Sequence, residues 1–552
     1  MKLKLAAIAL AILSLTGCAT IPSSGVIGFG PDVASGLNND EVYYSQTGPY
    51  DGANQEAILY GFLSSGNGPQ NDYAVAREYL TKDLSSKWQP NNEVLIQEGA
   101  PQLSKVSETE YLVTVGVSGE IDADGRYTDL PAGTQRTSTI KFTKVAGQWR
   151  IDSAPDQTMV VRANFKVLFR AYSLYFFDPS LTYLVPEVRW FPSRASTGTR
   201  LMNALLKGPS DWLKPAVVNV IPIGTKLNIN SVTVEDGVAQ VDLSSLALRV
   251  PQVQRSLMKS QIAATLEQLT DVTNVEISIQ RTPQTINQYV DGQPPSLGSS
   301  PVALTDLGLF RLNSSGAQAI VGTGSKVAEL HPTDFAYAQS QSKAAFVTAN
   351  GVRVYKLDLF NDQGHLVDAR PGQLSPSIDP QGGVWTLNSQ KGAPFIVTGT
   401  KRVVLRDNWV DGIPVSFAVS PEGARVAVVY LLDKLKLTYV FPVERNKSGE
   451  PVSLGKPIQV TSAPNNSDKV TWADSVTLAL LTPGSPSGFV PCLVTIGGQL
   501  NAATSIDLAK SVTVNDNGQL FVLQPDGNVI ESRGSTWVTI AQKVLALHVS
   551  ND

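Results

Sequence analysis

A thiol follows a leucine and two small residues in the run Leu15-Thr16-Gly17-Cys18, and it is one of only two cysteines among 552 residues. The thiolate is a strong nucleophile, and small neighbours leave the chain open to any enzyme that must grip it there. The other cysteine, Cys492, lies in GFVPCLVT (residues 488–495), a strand-like setting that predicts a buried, inert thiol, with a lone exposed nucleophile as the alternative. His331, His365 and His548 are the only histidines, each isolated in sequence, so no His-x-x-x-His or Cys-x-x-Cys pair supplies metal-ligand spacing. Gly-x-Ser-x-Gly, the P-loop and Gly-x-Gly-x-x-Gly are absent. Asp122-Ala123-Asp124-Gly125 begins like a calcium loop but lacks the acidic closure, so it reads as a hairpin turn. The carboxylate pairs Glu108/Glu110 and Glu235/Asp236 read as surface charge. The sequence therefore predicts no catalytic residue, no metal site and no cofactor, although a propeller can assemble a site from distant strands.

What precedes Cys18 is a targeting pattern. Lys2 and Lys4 give a positive start, and residues 5–15 are an uncharged apolar run. Eleven residues suit a signal h-region and fall short of the ~20 that cross a bilayer. Leu15 to Cys18 resembles a bacterial lipobox, which implies an S-diacylglycerol group on Cys18, cleavage before it, and N-acylation with fatty acid such as palmitate. An ordinary signal peptide with an incidental cysteine is the alternative. Cleavage there takes the charge from −4 to 42 − 48 = −6, which argues against nucleic acid as a partner. Once Cys18 is acylated, Cys492 has no intrachain disulfide partner.

The elements downstream are those of a multidomain chain, α+β and then all-β. Residues 1–17 are the signal peptide, and residues 18–40, rich in Pro, Gly, Ser and Asn, are a flexible tether. Residues 41–160 carry helical patterns first, with Asn71-Asp72 expected to cap the helix at 73–80. Strands at 94–97, 111–117, 137–145 and 148–151 follow, and this layout resembles NTF2-like α+β domains. Residues 161–283 read β-α-β-β-α-β, with strands at 173–177, 181–185 and 188–191, and a helix at 197–206. A strand at 227–234, its partner at 238–243, a helix at 252–269 showing Leu257, Ile262, Leu266 and Leu269 on one face, and a strand at 275–279 complete the block. LYFFDPSLTYLVPEVRW, ALLKGP, EDGVAQVDLS and QIAATLEQL make it similar to GerMN domains. Nine of residues 165–191 are aromatic, and Tyr175, Phe177 and Trp190 are expected on a buried face rather than on a sugar-stacking platform.

Residues 284–300 read as a linker, and in residues 301–552 short strands recur around turns at 339–343, 379–382, 420–423, 473–475 and 515–518. A spacing of about 40–50 residues built from strands alone is a β-propeller signature, here of about six blades with five to seven open. A second echo, Leu309 to Gly316 against Leu520 to Gly527, supports the repeat.

A lipidated cysteine, an NTF2-like block, a GerMN block and a propeller, in that order, resemble the actinobacterial lipoprotein LpqB family. That resemblance implies a non-enzymatic accessory at the extracytoplasmic face of the cell membrane, lipid-anchored in the bilayer. It further implies that the protein modulates an Mtr-type two-component system through the extracytoplasmic domain of its sensor histidine kinase, with effects on cell-wall homeostasis and division. Cys18 is the one functional residue it assigns, as the lipidation site. Two other readings stay open: a cell-wall glycan-binding protein or envelope hydrolase with a site on the propeller, and a transporter-associated solute-binding protein.

Overall fold

The computed structural model describes residues 47–193, 196–286, 292–313, 316–359, 362–462, 467–484 and 488–551. Cys18 and the tether lie outside the described residues.

The first domain opens on α1 (Gln55–Ser64), started by the Asn54 side chain, which accepts a hydrogen bond from the Ala57 N–H. Asn71 and Asp72 do not cap the next helix. They and Tyr73 take left-handed backbone angles, and α2 spans only Ala74–Glu78. The reason is burial: Tyr73 turns fully into the core beside Trp88, 6.2 Å away, and Asp72 pairs with Arg77 instead. α3 (Lys82–Lys87) leads into β1 (Glu93–Ser107) and β2 (Glu110–Asp122). On β2, Tyr111, Val113, Val115 and Val117 are buried and the residues between them half-buried, the alternation the sequence predicts. β3 (Tyr127–Asp129), β4 (Gln135–Val145), β5 (Gln148–Ser153) and β6 (Thr158–Val161) complete a sheet of order β5-β4-β2-β1-β6. Register shifts at Ile96/Gln97 and Glu98/Gln102 bulge β1 and bend the sheet around the helices.

A short helix, α4 (Arg162–Leu168), passes directly into β7 (Phe169–Phe177) of the second domain. β7 pairs along its whole length with β8 (Leu184–Pro192), which runs unbroken through Pro186 where the sequence suggested two strands. Leu181 instead belongs to the connecting turn, built by the buried Asp178 carboxylate accepting from the N–H groups of Ser180, Thr182 and Tyr183. α5 (Thr197–Lys207), β9 (Thr233–Glu235), β10 (Val238–Leu243), α6 (Arg255–Leu266), β11 (Asn274–Ile279) and β12 (Thr282–Pro283) follow. β9 is shorter than the strand expected at 227–234. Leu227 still bridges to Leu243 and the Asn228 N–H to the Asp242 carbonyl, but Thr199 Oγ1 accepts the Val232 N–H, a side chain taking up a bond that a continuous ladder would use. On α6 the buried face carries Met258, Ile262 and Leu266; Leu257 is only half-buried.

The third domain is a ring of six blades, five of four strands and the third of five. Blades 1 to 5 cover residues 334–368, 377–405, 413–459, 471–502 and 511–541, and blade 6 closes the ring. Blade 6 takes three strands from Leu297–Thr305, Gly308–Asn313 and Gly316–Ala319 and its innermost from the chain end, Ala546–Asn551. Innermost strands touch their neighbours around the full circle, so each blade buries both faces between two others. The five turns that set the repeat in the sequence all join an innermost strand to the second strand of blades 1 to 5. The second echo is different: Gly308–Asn313 is the third strand of blade 6, whereas Leu520–Leu523 is the second of blade 5. Closure by the chain end shifts every strand of blade 6 by one place, so similar hairpins occupy unlike positions.

Candidate functional site

The three domains meet around β8, whose nine residues are all buried. This strand carries Pro186-Glu187-Val188-Arg189-Trp190, two charges among apolar residues, and each has a partner. Arg189 Nη2 lies 2.8 Å from Glu187 Oε2, and Arg189 Nη1 donates to the Asp124 carbonyl of the first domain at 3.1 Å. Glu187 also accepts the Ser210 N–H. Trp190 packs on Phe165 and Tyr127, with centroids 4.8 and 6.0 Å away. Its indole N–H donates to the Gly497 carbonyl of blade 4 at 2.8 Å, and its backbone N–H to Gly125 at 2.7 Å. Of the three aromatics expected on a buried face, Phe177 is fully buried, Tyr175 half-buried, and Trp190 pins all three domains together.

From the propeller side, Arg425 completes the joint. It is fully buried, lies 2.7 Å from Glu422, stacks 5.3 Å from the Trp472 ring centre, and donates to the Pro186 carbonyl at 3.2 Å and to the Ser475 carbonyl. Lys207 pairs with Asp124, and Asp129 accepts from Ser462, which follows blade 3. Burial opposes ionisation of Asp124, but Lys207, Arg126 and Arg189 outweigh it and hold the carboxyl below its ordinary range. Between these contacts lies a cavity of about 600 Å³ with walls from all three domains, among them Arg126, Thr128, Glu187, Trp212, Arg425 and Gln459.

The residues singled out in the sequence do not converge on it. Asp122 accepts from the N–H groups of Asp124 and Arg126 and pairs with Arg126 at 2.7 Å, which makes the segment the expected turn; it lines the cavity but holds no calcium-loop geometry. Glu108 pairs with Lys105, Glu110 lies 3.9 Å from Lys141, and Glu235 ends β9 with Asp236 in the hairpin turn that follows. Cys492 is buried, its thiol 3.2 Å from Thr482 Oγ1, and burial pushes its pKa up. His331 ends the short helix Gly324–Leu330 and His365 is exposed. Among the described residues, no group of three or more His, Cys, Asp or Glu could hold a metal ion.

His548 belongs to a cluster that sequence reasoning missed. It lies 2.8 Å from Asp334 Oδ1; Lys469 Nζ and Ser375 Oγ each lie 2.5 Å from Asp334 Oδ2. His548 and Asp334 lie in the innermost strands of blades 6 and 1, and Lys469 and Ser375 just before those of blades 4 and 2, so the four meet where the innermost strands begin, at the opposite end of those strands from the turn that precedes Arg425. A further buried pair, Arg445 and Asp379 at 2.7 Å, joins blade 3 to blade 2 while Asp379 also accepts from the Trp385 indole. The available signal was chemical type: Glu187, Arg189 and Arg425 are charges set in otherwise apolar strands, where burial demands a partner.

Three family models match the chain: "Lipoprotein LpqB, N-terminal domain" over residues 48–166, "Sporulation and spore germination" over 173–285, and "Lipoprotein LpqB beta-propeller domain" over 308–546. Similar curated proteins include Lipoprotein LpqB of Cutibacterium acnes, 24% identical over 99% of this chain and 98% of that protein. That of Streptomyces avermitilis is 24% identical over 96% and 94%. Among solved structures, the first GerMN domain of the sporulation protein GerM from Bacillus subtilis is 20% identical, covering 22% of this chain and 96% of that one at a TM-score of 0.19. TolB from Acinetobacter baumannii is 14% identical, covering 46% and 66% at 0.34. The two LpqB models between them match more than half of the 552 residues, and similarity to named relatives runs nearly end to end, so the chain belongs to the LpqB lipoprotein family.

Proposed function

We propose that this lipoprotein is a non-enzymatic accessory of an Mtr-type sensor histidine kinase, held at the extracytoplasmic face of the cell membrane by lipid on Cys18. Family membership supports the lipoprotein part directly, and among the described residues no helix is long and apolar enough to cross a membrane. The observation that carries the binding reading is how the junction uses its charges. Arg189 and Arg425 donate to main-chain carbonyls of neighbouring domains and pair with Glu187 and Glu422, so these groups fix domain orientation instead of facing a reacting atom. Such an arrangement suits a rigid body that presents surfaces to a protein partner. Lipidation raises the local concentration of that body near a membrane kinase without any new contact, and two or more acyl chains at about 0.8 kcal/mol per buried methylene keep it there.

In-cell photocrosslinking from positions spread over the second domain and the propeller tests the partner. The expected result is capture of the kinase's outer domain from a contiguous set of positions; absence of the kinase from every position refutes the reading. For the anchor, Cys18→Ser is expected to abolish lipid labelling and release the protein from membranes. Full membrane retention of a lipid-free mature chain would overturn it.

A further inference from the structure

The junction cavity is far larger than structural welding requires. Its volume of about 600 Å³ falls in the ordinary range for small-molecule sites, and interfaces between domains are where such sites concentrate. We propose that it is a binding site for a neutral oligosaccharide, a role separate from contact with a kinase.

The ligand class follows from what the walls offer. Val188, Val460, Val476 and Ile496 form apolar wall, which accommodates the C–H face of a sugar ring. Of the charged wall residues, Arg126 is paired with Asp122 at 2.7 Å, Glu187 with Arg189 at 2.8 Å and Arg425 with Glu422 at 2.7 Å, while Asp129, which has no ion pair among the described residues, accepts hydrogen bonds from Tyr127 and Ser462. No uncompensated cation remains on these walls to repay the desolvation of a phosphate, and Asp129, exposed and already holding hydroxyl and N–H donors, offers the kind of acceptor that a further hydroxyl can use. A purely apolar ligand would strand the polar groups that line the same space, Thr128, Ser210 and Gln459 among them. Hydroxyl groups avoid both costs. Each donates and accepts, so it can bond a carboxylate oxygen on one side and a guanidinium N–H on the other. Hydrogen bonds to ionised partners are also stronger than neutral ones. Because the walls come from three domains, one ligand would touch all three and tighten their junction.

The test uses the intact lipoprotein in detergent micelles, with maltotriose, cellotriose and chitotriose as probes and inorganic phosphate and decanoate as comparators. Hydrogen exchange and titration calorimetry are the readouts. At least one neutral trisaccharide is expected to slow exchange in residues 126–129, 186–190 and 458–462 together. Thr128→Trp, at an exposed position on the cavity wall, fills space from outside the core and is expected to weaken that sugar at least tenfold with an unchanged melting temperature. Gln459→Trp, at an exposed position that the propeller contributes to the lining, is the second variant should the first disturb folding. Protection by phosphate or decanoate but by no sugar, protection confined to one domain, no effect of any probe, or full affinity in both variants would each overturn the proposal. Kinase capture is measured without sugar, so failure of one reading leaves the other to its own test.

Discussion

Replacing Asp334 with Asn isolates the electrostatics of the propeller channel. Asp334 and Lys469 are 17% and 19% exposed and 2.5 Å apart, and Lys469 Nζ has no other ion pair among the described residues. Asn keeps the shape and can still meet Ser375 and His548, but it leaves the lysine charge largely buried and unpaired. Breaking a buried pair from one side costs about 3–5 kcal/mol, and the residual exposure of Lys469 places this case near about 3 kcal/mol. For a propeller of this size each kcal/mol moves the melting temperature by about 2–4 °C, so a fall of about 6–12 °C is expected by calorimetry at pH 7.5. Adding Lys469→Met removes the stranded charge and retains an apolar stem, and the double variant should return to within about 1 kcal/mol of the parent. Strong non-additivity is therefore part of the expectation. A loss below about 1 kcal/mol for Asp334→Asn, or a double variant worse than either single one, would refute this account of the cluster.

The same cluster predicts a pH dependence. Burial, and then the charge of Lys469, hold His548 below its ordinary 6.5, outweighing Asp334. The unfolded chain thus takes up a proton near pH 6.5 that the folded chain resists, and stability is highest above 6.5 and declines as pH falls through it. Asp334, held low mainly by Lys469 and His548 against burial, adds a second loss below its ordinary 3.8. His548→Gln should flatten the melting-temperature slope between pH 7.5 and 5.5; equal slopes in both proteins would contradict the assignment. Arg425→Lys keeps the charge but cannot serve Glu422 and the Pro186 and Ser475 carbonyls together, so about 2 kcal/mol should be lost and the propeller should melt separately from the other domains. A single unchanged calorimetric transition would count against it. In the Cys18→Ser chain, Cys492 should react with a disulfide reagent about a thousandfold slower than a free thiol, since opening the strand by about 4 kcal/mol must come first. Stoichiometric labelling within minutes at pH 8 would show the thiol to be accessible.

Local chemistry was readable, and contacts made over long separations were not. The turns at 379–382, 420–423 and 515–518 announce themselves because Asp379, Ser420 and Asn515 each bond backbone N–H groups a few residues ahead. Those bonds depend on short-range sequence alone, and the repeat they mark gives the blades. Asp72 shows the limit of the same reasoning: its position fits a cap, but burial of Tyr73 rotates the backbone and Arg77 claims the carboxylate. His548 and Asp334 are 214 positions apart, and Arg425 and Pro186 are 239 apart. Only ring closure and domain docking bring such pairs together, so no spacing rule could reveal them.

What the sequence did contain was a set of charges in the wrong place. Arg425 sits in ARVAVVY and Glu187 and Arg189 in PEVRW, both in strands whose other residues are almost wholly apolar and buried. An isolated charge there would cost several kcal/mol, so each such residue predicts a partner even when the partner cannot be named. In this chain the partners are of two kinds. Glu422 and Glu187 compensate charge within a domain, while the carbonyls of Pro186 and Asp124 lie in a neighbouring one. The first kind makes the arginine tolerable in its own strand. The second makes its full satisfaction conditional on docking, because an undocked Arg425 or Arg189 would lose a main-chain acceptor it cannot replace without water entering the core. Domain arrangement in this lipoprotein is thereby specified by hydrogen-bond satisfaction as well as by the apolar cluster that Tyr127, Phe165, Val188 and Trp190 share across the junction, and a substitution that preserves the local ion pair can still release one domain from another.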